Sequence, residues 1–344
     1  MTQNTKTSNS SNSTNGNLNN WALLCQGGGG KGSWEAGFIY QIANKHKIDF
    51  ISLIGTSVGA LNCALYLQCI ADGNFNRYID VWHNVDSNTI LIKDKIKGLC
   101  SLLTKIYYSD SNELRCLIQK NINPTAIQNV IIRKKKFLHI YTTNIHNLLN
   151  WVLVTLCFTP PKLPPGKCDL FSDLHNGLLA SASIPLAFPS VRLLGTRLYD
   201  GGLCANNPVG PGSTILGISN VLILSPVNKD DLAKVKFFDV LNYQLLSRMI
   251  KTQDHFRRFN SSGLPTPNVY FVTPTKRLNI KTLNFTKSAS IEGFKLGQAD
   301  ADTFIATHSA NYEKYDLMQY CLNKPRLNII KVLECCGLKI KIQE

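Results

Sequence analysis

Residues 50–70 read FISLIGTSVGALNCALYLQCI, an uncharged run that approaches membrane-spanning length. The run breaks at Gly55-Thr56-Ser57, so a strand, a turn and a helix describe it better than one spanning helix. Phe50 to Gly55 predicts a buried strand. Ser57 to Ile70 is rich in Ala, Leu and Cys and predicts a helix buried on most sides. The turn between them, Gly55-Thr56-Ser57-Val58-Gly59, is a GxSxG elbow in the strand-to-helix setting the motif requires. Small residues flank the serine because the turn is tight and its side chain must stand clear.

The same alternation precedes it. Trp21 to Gln26 is a short apolar run ending in glycines, hence a strand. Lys31 to His46 carries Trp34, Phe38, Ile42 and Ala43 at helical spacing. Strand, helix, strand, helix at this spacing predicts a covered, parallel sheet. Downstream, residues 72–125 read as helical and loop-rich. Phe137–Thr143 and Trp151–Leu156 read as strands, Thr159–Lys167 as a proline-rich loop and Ser172–Ser181 as a helix. Arg197–Tyr199 is a strand ending at Asp200-Gly201-Gly202. Val221–Ser225 and Val269–Thr273 are further strands, 230–260 is largely helical, and Ile291–Thr307 is a last long helix. No repeat or internal linker divides 21–310. The expected organisation is a disordered Asn/Ser-rich tail over 1–20, one domain over 21–310 and a basic, apolar extension over 311–344. Its motif-bearing core is about 21–215.

The first strand runs into Gly27-Gly28-Gly29-Gly30-Lys31-Gly32. Glycines at the start of a helix let backbone N–H groups approach an anion. A phosphate-binding GxxxxGK[ST] loop fails twice: Cys25 stands at its first Gly, and Gly32 stands where Ser or Thr should follow Lys31. Gly27, Gly29 and Gly32 match a dinucleotide GxGxxG, but the acid it needs is misplaced, since Asp49 precedes the second strand. The third use is an oxyanion hole built from N–H donors. The nucleophile elbow at Ser57 favours this one.

A serine nucleophile needs a base, usually His. Of His46, His83, His139, His146, His175, His255 and His308, none follows a late strand as the base of an α/β-hydrolase does. Asp200 does end a strand, and two glycines follow it. In a parallel sheet Ser57 and Asp200 would share the C-terminal edge, where such sheets bind ligands.

Composition bounds the partners. The net charge is +15, from 37 basic and 22 acidic residues, which favours an anionic partner. The run Arg133-Lys134-Lys135-Lys136 leads into Phe137–Tyr141 and reads as a strand entry. A single-strand nucleic-acid binder would interleave Arg with stacking aromatics; no such pattern appears, so nucleic acid is excluded as a partner. The 11 cysteines show no CxxC pair and no zinc spacing, which fits a reducing compartment and no metal. There is no apolar signal segment in residues 1–20. A cytoplasmic protein, peripheral on membranes, is expected. Residues 85–120, with Ile90-Leu91-Ile92-Lys93, Lys95, Lys97 and Leu102-Leu103, read as an amphipathic cap over the site.

Taken together, the motifs resemble those of the patatin-like phospholipases. The resemblance spans roughly Trp21 to Thr307. It rests on Gly27–Gly32 leading into Ser33-Trp34-Glu35-Ala36-Gly37 and on Gly55–Gly59. It continues in Ala180-Ser181-Ala182-Ser183-Ile184-Pro185 and in Asp200-Gly201-Gly202 followed by Asn206-Asn207-Pro208. It implies a three-layer α/β/α fold with a mainly parallel central sheet. It also implies a Ser57–Asp200 dyad without His, and hydrolysis of acyl esters of glycerolipids through an acyl-enzyme, with no cofactor. Gly28, Gly29 and Gly30 would form the oxyanion hole. Gly27, Lys31, Gly32, Gly55, Gly59, Gly201 and Gly202 would support the motifs, with Lys31 assigned to the loop rather than to phosphate. Ser183–Pro185 would pack the turn under the site. The expected partners are lipids of a membrane or lipid-droplet surface. The competing expectation is a lipid-binding or regulatory protein that kept the fold and lost turnover.

Overall fold

The structure is a computed structural model that describes residues 20–86, 90, 109–147, 150–160, 170–206, 208, 218–226, 268–280, 283 and 285–308. The helical expectation for 230–260, the two terminal segments and most of the cap over 85–120 lie outside the described residues.

The described strands are β1 (Trp21–Cys25), β2 (Phe50–Thr56), β3 (Phe137–Asn147), β4 (Asn150–Phe158), β5 (Val191–Leu193), β6 (Thr196–Asp200), β7 (Asn220–Leu224) and β8 (Asn268–Val272). The helices are α1 (Gly32–Asn44), α2 (Val58–Asp72), α3 (Arg77–Trp82), α4 (Asn112–Asn121), α5 (Pro124–Lys134), α6 (Leu174–Ser181), α7 (Gly202–Ala205) and α8 (Lys287–His308). The strands form one sheet in the order β5-β6-β3-β2-β1-β7-β8, with β4 also paired to β3. From β3 through β8 the pairs are parallel. β4, β6 and β5 are joined antiparallel. The sheet is thus mixed and mainly parallel, in a three-layer α/β/α fold. The βαβα start fixes its parallel centre.

Alternation along β1 divides the core. Leu23 and Cys25 face the main cluster with Trp34, Phe38, Phe50, Tyr66 and Tyr78. Ala22 and Leu24 face a smaller one on the opposite side, with Ile54, Tyr141, Val221 and Ile223. α1 lies against α8. The Trp34 indole donates to Asp300 at 2.7 Å, and the helices approach so closely that a Cβ on Gly297 would sit 2.0 Å from the Trp34 carbonyl oxygen.

One expectation is corrected. The strand carrying Asp200 does not lie parallel beside the others at a shared C-terminal edge. β2 pairs with the first half of β3, ending at Thr56↔Tyr141. β6 pairs antiparallel with the second half, ending at Thr142↔Asp200. The two strand ends meet head-on along one flank of β3. The basic run at 133–136 does lead into β3, and its first half also closes a helix. Arg133 and Lys134 form the last turn of α5, where cations suit the helix dipole. Lys136 is buried, and its ammonium donates to Asp49 at 2.6 Å and to the Phe50 carbonyl at 2.7 Å.

Candidate active site

Ser57 occupies the joint between β2 and α2 with φ 55 and ψ −128. Positive φ is uncommon for a residue with a side chain and is held only where surroundings determine it. Here they do. The Ser57 N–H donates to the Ser181 hydroxyl at 2.9 Å, and that hydroxyl donates to the Tyr141 carbonyl at 2.6 Å. The Ser57 carbonyl accepts the first bonds of α2, from Ala60 and Leu61. Gly55 is the last but one residue of β2, paired with Cys25 and Ile140. The elbow brings α2 hard against the end of β1: a Cβ on Gly59 would lie 2.3 Å from the Cys25 carbonyl oxygen, so no larger residue fits.

Asp200 arrives from the opposite direction. Its N–H donates to the Ser183 carbonyl at 2.9 Å, and the N–H of Gly201 donates to the Ser181 carbonyl at 3.3 Å. One short stretch at the end of α6 therefore holds both the elbow and the Asp-Gly-Gly turn. The N–H of Gly202 donates to Asp200 Oδ1 at 2.7 Å. Oδ2 is buried and has no hydrogen-bond partner among the described residues. Burial raises the Asp200 pKa to about 6, and the adjacent Ser57 hydroxyl and the Gly202 N–H pull it back down. A buried carboxylate with one open oxygen beside a hydroxyl is suited to accepting that hydroxyl's proton.

The glycine loop closes the other side. Gly29 has φ 55 and begins a 3-10 turn through Lys31. The Lys31 N–H bonds the Gly28 carbonyl at 3.2 Å, so its backbone shapes the loop. Asn206 clamps the loop's start: its Oδ1 accepts the Gly27 N–H at 3.0 Å and its Nδ2 donates to the Gly27 carbonyl at 3.3 Å. Asn62 holds the far end, donating to the Gly32 carbonyl at 3.0 Å and to Glu35 at 3.2 Å, while accepting from the Trp82 indole. Glu35 is fully buried behind the loop, and burial holds its pKa well above the usual carboxylate range. Among the described residues, the N–H groups of Gly28 and Gly29 meet no carbonyl.

A pocket with an empty volume of about 810 Å³, open solvent at its mouth included, begins at Gly29 and Ser57. Its walls are apolar, including Leu61, Leu65, Ile118 and Phe188, with Asn62 and Asn121 among the few polar residues. None of the described histidines hydrogen-bonds Ser57 or Asp200. His46 meets Asp302, His175 the Ile122 carbonyl, and His139 the thiol of Cys157. Burial lowers the pKa of His139 to about 4. The side chains of His146, His255 and His308 lie outside the described residues. The sequence named Ser57, Asp200 and the glycines. Ser181 and Asn206 lie within its motifs, with no sign there that they hold the elbow and the loop.

Comparison with known proteins adds a family. No curated protein sequence matches the chain significantly. Among solved structures, the chain is similar to VipD from Legionella pneumophila, with 12% identity, a TM-score of 0.41, and 85% of this chain and 67% of that one covered. It is similar to the type III effector ExoU at 13% identity and a TM-score of 0.43, covering 86% of this chain and 54% of that one. Human GIVD cytosolic phospholipase A2, in complex with methyl gamma-linolenyl fluorophosphonate, matches at 10% identity and a TM-score of 0.40, covering 85% and 58%. The chain thus spans little more than half the length of the last two. The family model Patatin-like phospholipase matches residues 23–212, over half of the 344 residues. That span takes in the glycine loop, the elbow and the Asp-Gly-Gly turn, and the chain belongs to the patatin-like phospholipase family.

Proposed function

We propose that the chain hydrolyses carboxylic esters of glycerolipids through an acyl-enzyme, with Ser57 as nucleophile and Asp200 as its base. Asp200 Oδ2 takes the Ser57 proton as Oγ attacks the ester carbonyl. The oxyanion of the tetrahedral intermediate is held by the N–H groups of Gly28, Gly29 and Gly30. The intermediate collapses and the alcohol or lysolipid leaves with a proton from Asp200. Water then attacks the acyl-enzyme, giving its proton to Asp200, and the acid is released with Ser57 restored.

The observation that carries this reading is the head-on meeting of β2 and β6. It leaves a strained serine hydroxyl beside a buried carboxylate whose second oxygen is open. The apolar pocket that begins at Ser57 supports an acyl chain as the group bound there, since burying methylenes contributes about 0.8 kcal/mol each. Family membership supports lipid as the substrate class. The test is lipidomic profiling of a mixed phospholipid and triacylglycerol substrate, wild type against Ser57→Ala. Free fatty acid released by the wild type and not by Ser57→Ala is expected. Equal release by both would overturn the assignment.

A further inference from the structure

The sheet carries an antiparallel ribbon beyond the active-site end of β2, and its outermost hairpin is built against the usual rules. β5 and β6 are joined by Leu194-Gly195, a two-residue turn in which both residues have positive φ, 53 and 74. That turn favours Asn or Asp at its first position. Leu194 carries backbone strain there and leaves just over half of its surface, 54%, in solvent. Within the same hairpin, Arg192 and Arg197 lie directly opposite each other and both are exposed. Like charges so paired destabilise a sheet, and neither has a carboxylate partner among the described residues. Register puts Leu153 of β4, 39% exposed, on the same face as the two arginines. In the loop that enters the hairpin, Leu186 repeats the anomaly with φ 68 and 64% exposure, between Ile184 and Phe188, which line the pocket.

We propose that the β5–β6 hairpin is a docking surface for an anionic phospholipid bilayer, with Leu194 and Leu186 entering the interface and the Arg192–Arg197 pair meeting lipid phosphates and carboxylates. Leucine side chains beside unpaired arginines match an apolar layer edged by negative charge, and the net charge of +15 has the same sign. The hairpin is also coupled to the chemistry by connectivity. β6 runs from the turn to Asp200, about 15 Å of strand, so a docked surface lies within a lipid's length of Asp200. The proposal deepens the lipid-hydrolase reading of the same site, and its test separates the two.

Co-sedimentation with phosphatidylcholine vesicles, with and without phosphatidylserine, is measured for the full chain and for Leu194→Asn and Arg192→Gln/Arg197→Gln. Hydrolysis of a soluble, monomeric short-chain ester is measured in parallel. The wild type binds the phosphatidylserine vesicles more tightly. The double arginine variant loses roughly 30-fold in affinity for them, from about 1 kcal/mol per arginine. Leu194→Asn loses roughly tenfold while melting no lower than the wild type, because Asn suits the turn. Both variants keep wild-type activity on the soluble ester. Vesicle binding that is absent, indifferent to phosphatidylserine, or unchanged in both variants overturns the docking surface, whatever the ester assay shows. A wild type that binds as expected and hydrolyses neither the ester nor the vesicle phospholipid supports the surface and overturns the hydrolase reading.

Discussion

Asp200 is the residue whose chemistry is most exposed to measurement. Its ordinary value of 3.8 is raised to about 6 by burial. Between those values the folded chain holds a proton that the unfolded chain releases, so stability falls as pH rises from about 4 to about 6. The loss totals roughly 3 kcal/mol at 1.36 kcal/mol per unit. Asp200→Asn removes that charge and is expected to melt several degrees higher at pH 8, while kcat falls about 10⁴-fold, the scale known for replacing the carboxylate of a Ser-His-Asp triad. Thermal scans and initial rates read both. In the wild type, kcat/KM is expected to rise about tenfold per pH unit below about 6 and to level above it. Ser57 could be named as a candidate from the sequence because its GxSxG lies between a strand and a helix, and Asp200 because its Asp-Gly-Gly ends a strand and fits the family's motif order. The parts played by Ser181 and Asn206 were not legible. Serine and asparagine serve many purposes, and their partners lie 124 and 179 residues away in the chain.

Among elements, the end of α6 does the joining. Ser181 is fully buried and bonds both the elbow and β3. Ser181→Ala leaves a buried N–H and a buried carbonyl unpaired, an expected cost of about 2–4 kcal/mol in chemical denaturation. kcat is expected to fall with it, as the strained φ of Ser57 loses its anchor. Asn206→Ala frees the start of the glycine loop and is expected to lower kcat about 10²-fold with a smaller change in KM. Steady-state kinetics on one lipid substrate would show it. The first four elements followed from apolar runs that glycine punctuates, which at 50–70 favoured strand, turn and helix over one spanning helix. The direction of β6 did not follow. Five residues of strand carry no sign of which way they run, and β5, at three residues, is too short to show an alternation. The two strands predicted at Phe137–Thr143 and Trp151–Leu156 proved to be a longer hairpin, Phe137–Asn147 with Asn150–Phe158, because polar Asn144, Asn147 and Asn150 mask the strand pattern at its outer end.

At the scale of the molecule, the family match ends at residue 212, while α8 packs on α1 far beyond it. Our reading of 21–310 as one hydrolase domain predicts that a chain ending at residue 286 exposes Trp34 and Phe38 and aggregates on expression, which size-exclusion chromatography would detect. Among the described residues, no helix is long and apolar enough to cross a membrane. The basic charge pointed to an anionic partner in the sequence. It did not point to the β5–β6 hairpin, because the significance of Arg192 and Arg197 lies in their being opposite one another across a turn.

The central claim is that Ser57 is a nucleophile activated by Asp200. Intact-mass and peptide mapping after exposure to a lipid-like fluorophosphonate tests it most directly. One adduct on Ser57 is predicted, forming at least about 10³-fold more slowly in Asp200→Asn and never in Ser57→Ala. An unlabelled wild type, an adduct on another residue, or labelling at the wild-type rate in Asp200→Asn would contradict the claim.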